Sequence, residues 1–418
     1  MRTPVESRLA AAGLPPLSRT AWLEIDLDAI AGNLAVIRGL VGPGVRVEPV
    51  VKADAYGHGA VPVARALEAA GADGLGVATF DEALELRDAG ITLPILVLYP
   101  SPGWVAGEAR RRAVALTAGT GAGLARLLRA AAEFAAAGVA GGLEPLALHL
   151  EIETGLGRGG ALPDTAREEA AEISATPGVV LAGVWTHLAA ADDPASPHVQ
   201  DARFAGALAA LDVRPSVAAG ARRHLAASGA ILGGAVGRWD AVRPGLSIYG
   251  VVPDGLVPTE HTAAGAAALR PALALVACPT RVADLPAGHG VGYGPAFVTA
   301  RPTRIATLPL GYGDGWHRVL TNRAEALVRG VRAPIVGRVS MDGVTVDVTD
   351  VPGDPVTIDD EFVLIGVQGE ARIDVVEVAR AASTISYEIV TAVARRVSRV
   401  YHAAGNVVSV RSLAGEVG

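Results

Sequence analysis

From about Trp22 to Leu269 the chain alternates short apolar runs with alanine-rich stretches of helical character, and this alternation constrains the fold more than any other feature. VRVEPVVKA (45–53), GLGVAT (74–79), LPILVLY (93–99), LALHLEI (146–152), GVVLAGVWTH (178–187) and VRPGLSIYG (242–250) read as buried strands. AVPVARALEAAG (60–71), FDEALELRDAG (80–90) and ARLLRAAAEFAAAG (125–138) read as helices between them. Strand and helix in regular alternation imply a parallel sheet, and roughly 250 residues of it suit an α/β fold of the (β/α)8 TIM-barrel type. After Arg270 the texture changes to short β-type segments, such as RPTRIATLPLG and GVTVDVTDV, separated by Gly, Pro and Asp turns. One helical stretch, residues 375–384, lies inside this region. At 418 residues the chain exceeds one hydrophobic core. The expected division is a loose N-terminal tail (1–19), a barrel (20–269) and a β-rich C-terminal domain (270–418), with the first strand (20–27) able to pair with either domain.

Charge and cysteine usage narrow the classes of function. A formal charge of -7, from 43 acidic against 36 basic residues without long runs of either sign, argues against a nucleic-acid surface. Cys278 is the only cysteine, so no intrachain disulfide is possible and nothing indicates an oxidising compartment. The N-terminus carries charges and prolines where a secretory signal needs an apolar stretch, and no uncharged apolar run is long enough to span a membrane. A cytoplasmic enzyme acting on a small metabolite, with no metal implied, is the expectation.

Of the 36 basic residues, 35 are arginine, and Lys52 is the sole lysine. A chain that uses arginine for every other cation suggests for Lys52 a task that guanidinium cannot perform. Condensing with an aldehyde to a Schiff base is such a task, because an amine can lose its proton and attack whereas guanidinium stays protonated. Lys52 follows a predicted barrel strand, where functional groups of such barrels sit, and runs into a loop carrying Tyr56, Gly57, His58 and Gly59.

Other strand ends supply further candidates, each with an ordinary structural alternative. HLEIETGLGRGG (149–160) places Arg158 in a glycine-rich loop, where it suits a carboxylate or phenolic oxygen or serves as a surface cation. His187 ends GVWTH, suited to stacking on a ring or to a structural role. HLAASG (224–229) brings Ser228, and AVRPGLSIYG (241–250) brings Arg243, Gly245 and Leu246; small residues with free backbone N–H groups near the last strands suit a phosphate, and ordinary turns account for either segment alone. Beyond the barrel, HGVGYGPAF and PLGYGDGW present Tyr293 and Tyr312 between glycines, although the chain has only seven tyrosines. GRVSMDGVTVDV offers Met341 and Asp342 at a strand turn, which a plain hairpin also explains. Tyr387 lies near a helix, where core packing accounts for it equally well.

Taken in order from AWLEIDLDAI to RRVSRVY, these segments resemble the alanine racemases over nearly the whole chain. VVKADAYGHG resembles the family's pyridoxal-phosphate motif, which implies that Lys52 is the Schiff-base lysine and Tyr56 a phosphate ligand. The resemblance implies that Arg158 binds the cofactor's phenolic oxygen or the substrate, that His187 lies against the pyridine ring and that Arg243 faces its nitrogen. Ser228, Gly245, Leu246 and Tyr387 would hold the phosphate. Tyr293 would be the second catalytic group, delivered with Met341 from the neighbouring subunit of a homodimer. Three positions depart from the family's pattern. Glu151 stands where many members carry a carbamylated lysine and would supply the negative charge that orients Arg158. Ala227 replaces a common asparagine, and Ser340 a frequent cysteine.

The implied reaction is interconversion of L-alanine and D-alanine, supplying D-alanine for peptidoglycan. Inverting a carbon requires one group to remove its proton and another to return one from the opposite face. Lys52 would serve the D-alanine face and Tyr293 the L-alanine face. Tyrosine, with a reference pKa of about 10, is a poor base at neutral pH, so positive charge or hydrogen bonding must assist. A serine or broad-specificity amino-acid racemase would use the same pair. A barrel-fold decarboxylase shares the lysine without needing Tyr293, and a pyridoxal-phosphate homeostasis protein would lack residues 271–418.

Overall fold

The computed structural model describes residues 3–137, 142–193, 195–212, 220–234 and 239–418. Met1 and Arg2 of the expected tail and Gly138 of the expected helix 125–138 lie outside the described residues. The chain forms two compact units, one of Ile30–Ala55 with Ala60–Leu269, the other of Met1–Ala29, Tyr56–Gly59 and Arg270–Gly418.

The first strand, β1 (Ala21–Asp26), belongs to the second unit. The first unit is built on β2 (Arg46–Val47), β3 (Leu75–Val77), β4 (Ile95–Val97), β5 (Val114–Ala118), β6 (Leu146–Glu151), β7 (Val179–Trp185), β8 (Arg222–Ala227) and β9 (Ala241–Arg243). These strands run parallel in the order β2-β9-β8-β7-β6-β5-β4-β3. An isolated bridge between Val50, just beyond β2, and Gly76 of β3, with the Val51 N–H donating to Gly76 O at 2.8 Å, links the two edges of this sheet. Pro49 has no N–H to give, so the ladder is thin there, although its carbonyl still accepts from Gly76 N–H at 2.8 Å. Helices Ala60–Ala69, Phe80–Asp88, Gly121–Ala136, Ala166–Ala175 and Ser196–Asp212 alternate with the strands.

The α/β barrel and the β-rich C-terminal unit match the fold expected from the sequence. Two barrel strands, β5 and β8, escaped the reading. β5 (VALTA) is submerged in alanine-rich sequence, and β8 (RRHLAA) opens on two arginines. Conversely, the predicted strand 242–250 ends at Arg243, because Pro244 removes a ladder donor and Leu246–Tyr249 turns into a 3-10 helix.

In the second unit β1 pairs antiparallel with β10 (Leu273–Ala277) and parallel with Ser398–Ala403, inside a twelve-stranded sheet. The expected loose tail is instead partly helical: Val5–Ala11 is a helix whose Val5 and Leu9 are buried. Arg8 on that helix donates to both carboxylate oxygens of Glu24, at 3.2 and 2.7 Å. Glu24 is buried on β1 and also accepts from Trp22 Nε1 at 2.6 Å, so the segment is tied by a paired buried charge. No helix among the described residues is long and apolar enough to cross a membrane.

Candidate active site

Lys52, Glu151, His187, Ser228 and Arg243 all lie at or just beyond the carboxyl ends of barrel strands, the end where a parallel α/β barrel exposes its loops. Leaving β2, the backbone enters an unusual turn. Ala53, Asp54, Ala55 and Tyr56 have φ of 52°, 56°, 52° and 52°, a run of left-handed residues without glycine, each costing on the order of 1–2 kcal/mol. Its neighbours hold it: Ala53 N–H donates to Glu82 Oε1 at 2.6 Å, Ala55 N–H to Val51 O at 2.8 Å, and Asp54 Oδ1 accepts from Ala60 N–H at 2.8 Å. Burial, then the nearby Arg158 and, less strongly, Arg243, pull the Lys52 ammonium below its ordinary pKa, against the opposing charge of Glu82.

Behind the mouth of the barrel, Arg243 is fixed from several sides. Its Nη2 donates to Thr186 O at 2.9 Å, its guanidinium carbon lies 4.7 Å from the Trp185 ring centroid, and its Nη1 donates to His224 Nδ1. Because arginine can only donate, His224 must carry its proton on Nε2, which then donates to His149 Nδ1 at 2.8 Å. Room for the His149 ring comes from Gly183 on β7, where a Cβ would sit 2.3 Å from His149 Nδ1. Burial and the surrounding arginines keep these imidazoles neutral, with the His149 pKa pushed down to about 3. His187 is likewise held at about 3 by burial and by Arg243, Arg158 and Lys52. Burial lowers Arg243 itself to about 10, which leaves it a cation at neutral pH.

Ser228 follows β8 directly, and its Oγ accepts from Gly245 N–H at 2.9 Å and Ser247 N–H at 3.1 Å. The ends of β8 and β9 therefore share one cluster of hydroxyl and backbone donors that includes Ser228, Gly245 and the start of the Leu246–Tyr249 turn. Glu151 and Arg158 interact through charge rather than direct contact. Burial raises the Glu151 carboxyl pKa against the pull of Arg158 and Arg243, yet among the described residues neither a hydrogen bond nor an ion pair joins it to Arg158. Arg158 instead faces the ring of Tyr99, 5.3 Å from guanidinium carbon to centroid.

In the second unit, Tyr56 and Tyr387 lie together, with ring centroids 6.1 Å apart. Burial, and then Tyr387, push the Tyr56 phenol well above its ordinary range. Arg399, fully buried, donates twice to Gly57 O (3.2 and 3.1 Å) and to Val393 O at 2.9 Å and Ala394 O at 2.7 Å, pinning the segment after Lys52 to the exit of the Ser386–Thr391 helix. A Cβ at Gly57 would meet Val390 O at 2.2 Å, so only glycine permits this approach.

Tyr312 and Met341 occupy adjoining turns: Tyr312 N–H donates to Ser340 O at 3.0 Å and Gly313 N–H to Met341 O at 2.9 Å. Buried Asp314 accepts from Arg19 and Arg396, both at 2.7 Å, while Arg396 also donates to Asp342 at 2.7 Å. Burial opposes ionisation of Asp314, but hydrogen bonds from Arg19, Gly311 N–H and Arg396 hold its carboxyl below the usual range. Tyr293 sits on a separate hairpin, between strands Gly290–Val291 and Phe297–Val298.

Sequence reasoning brought out neither Tyr99 nor the pair His149 and His224, although both histidines open quoted motifs. Their signal is weak because inward-facing barrel residues alternate with helix-facing ones, and no local pattern says which strands bring two rings together.

The chain is similar to known proteins over most of its length. Residues 25–253 match the family model for the alanine racemase N-terminal domain, and residues 272–401 that for its C-terminal domain. The chain is 42% identical over 393 residues to an alanine racemase of Symbiobacterium thermophilum, covering 92% of this chain and 97% of that protein. Against an alanine racemase of Desulfosudis oleivorans the identity is 39% over 395 residues, covering 91% and 96%. The crystal structure of alanine racemase from Bacillus anthracis with bound L-Ala-P matches with a TM-score of 0.81 at 34% identity, covering 95% of this chain and 99% of that one. With both domain models matched in order along most of its length, this chain belongs to the alanine racemase family.

Proposed function

We propose that this chain is a pyridoxal 5'-phosphate-dependent alanine racemase, an isomerase that interconverts L-alanine and D-alanine in the cytoplasm and supplies D-alanine for peptidoglycan. The observation that carries the reading is Lys52: the only lysine of the chain, set at a barrel strand end, with its amine made easier to deprotonate by burial and by Arg158. The donor set around it fits the cofactor. Lys52 provides the amine for its aldehyde, and Arg243 a fixed guanidinium for its ring nitrogen. Ser228 with the Gly245 and Leu246 backbone would provide donors for its phosphate, a role the family resemblance also gives Tyr56 and Tyr387, and His187 a neutral ring to lie against it. When bound, pyridoxal phosphate supplies an electron sink that acidifies the α-hydrogen of an amino acid.

The protein's part is aim and proton traffic. Lys52 would hold or accept the proton on the D-alanine face. The Tyr293 hydroxyl does so on the L-alanine face, and Arg158 takes the substrate carboxylate or the cofactor's phenolic oxygen. Arg243 remains a cation at neutral pH and would offer the cofactor's ring nitrogen a hydrogen bond rather than a proton. Met341, with Tyr312 and Asp342 on the adjoining turns, borders the substrate. Exposure of Tyr293, Tyr312 and Met341 supports a homodimer in which each C-terminal unit completes the partner's barrel, a single isologous contact giving two equal sites.

The test is optical inversion of single amino acids by the purified yellow protein, followed by borohydride reduction and peptide mapping. The reading expects L- and D-alanine to interconvert and cofactor to be fixed on the peptide containing Lys52. Cofactor fixed elsewhere, or inversion of serine in preference to alanine, would overturn it.

A further inference from the structure

Glu151 reaches from its backbone through only two methylenes, and among the described residues it makes neither a hydrogen bond nor an ion pair with Arg158. What Arg158 does meet is an aromatic face, with its guanidinium carbon 5.3 Å from the centroid of Tyr99. Tyr99 sits two residues beyond β4, and its side chain stands on a braced backbone. Leu98 N–H donates to Val77 O at 2.8 Å, Tyr99 N–H donates to Ala78 O at 3.3 Å, and Pro100 and Pro102 follow. Four residues on, Gly103 passes so close to the Gly121–Ala136 helix that a Cβ would meet Arg126 O at 2.8 Å.

We propose that Tyr99 is the positioning residue of Arg158, an assignment that rests on Arg158 binding the substrate carboxylate or the cofactor's phenolic oxygen. A carboxylate partner would occupy the guanidinium fork, leaving fewer N–H donors for an incoming anion. A ring face holds the same cation through its π surface and leaves the fork open in its own plane. Glu151 then acts at longer range, as a charge rather than as a tether.

The ring is 46% exposed, so replacing it leaves the barrel intact. Tyr99→Leu should raise KM for alanine by about two- to fivefold, the size of an exposed cation–π contact, with kcat and the thermal midpoint close to wild type. Tyr99→Phe, which keeps the ring face, should behave as wild type. In an Arg158→Ala background Tyr99→Leu should change KM no further, a coupling that a general packing defect would not produce. An unchanged KM in Tyr99→Leu, an equal loss in Tyr99→Phe, or an additive loss in the Arg158→Ala background each overturns the assignment while wild-type racemisation still stands. A wild-type chain that inverts no alanine removes the reading beneath it as well.

Discussion

In the barrel Arg243 and Ser228 are 3% and 2% exposed, whereas in the C-terminal unit Tyr293, Met341 and Tyr312 are 73%, 52% and 43% exposed. The first group is part of a core: Arg243 is stacked on Trp185, bonded to Thr186 O and backed by His224 and His149. The second is presented on turns that are stiffened from behind, by paired backbone bonds and by the Arg19, Asp314 and Arg396 cluster. Buried groups gain fixed geometry and strongly shifted protonation, at the cost of being unable to adapt. Exposed groups keep ordinary surroundings and depend on something else to exclude water. That contrast motivates the proposal that the barrel holds the cofactor and the C-terminal unit of a second copy brings the opposing acid–base group.

Substitutions at the two ends of the comparison should have the largest effects. Tyr293→Phe should cut racemisation by on the order of 10²–10⁴, the usual loss for a positioned acid–base group, while cofactor binding and thermal midpoint stay at wild-type values. Lys52→Ala should remove both activity and the covalently held cofactor, since no other lysine can substitute. A Tyr293→Phe protein that also lost cofactor would erase the proposed division of labour.

Stability should then separate the units. Asp314→Asn leaves the partly exposed Arg19 and Arg396 facing a neutral group, and weakening charge-assisted hydrogen bonds of this kind costs about 1.5–3 kcal/mol, measurable as a lowered denaturation midpoint. Acid should act differently on the two. His149 and His187 have folded-state pKa values of about 3, against about 6.5 when unfolded. The unfolded chain therefore binds protons that the folded barrel refuses. This contribution to stability is full above about pH 6.5 and is lost as the pH falls from there through about 3. Asp314 has a depressed carboxyl pKa, so its contribution is retained until the pH drops below the ordinary aspartate value of 3.8. Hydrogen exchange followed residue by residue between pH 7 and 4 should thus show the barrel strands loosening before the Arg19 and Arg396 cluster; simultaneous loosening would contradict the contrast. The smallest effect is expected at Glu151. Activity should not respond to removal of bicarbonate, because a glutamate needs no carbamylation, and Glu151→Gln should alter KM less than Tyr99→Leu does.

The barrel could be read from sequence because βα alternation is local, and Lys52 because a lone lysine among arginines is visible without coordinates. Other features depend on what distant segments do together. β8 hides behind Arg222 and Arg223, since two charged residues in succession at the start of a strand look like a loop. The ordering of residues 5–11 rests on Glu24 being buried by β10 and Ser398–Ala403, which no pattern near Arg8 announces. Tyr99 ends a plain apolar run two residues beyond β4, and its meeting with Arg158 requires two loops distant in sequence to converge. The left-handed turn after Lys52 contradicts the propensity of its two alanines, and is sustained by Glu82 and Asp54 contacts of long or irregular reach.

The central claim, that the buried and the exposed groups form one site across two copies of the chain, is tested most directly by mixing inactive Lys52→Ala with inactive Tyr293→Phe under conditions where subunits exchange. Each mixed dimer would hold one site with both defects and one with neither, so alanine racemisation should reappear in proportion to the mixed species. If exchange is demonstrated by mass and no activity returns, Lys52 and Tyr293 do not meet across subunits and the shared-site account is wrong.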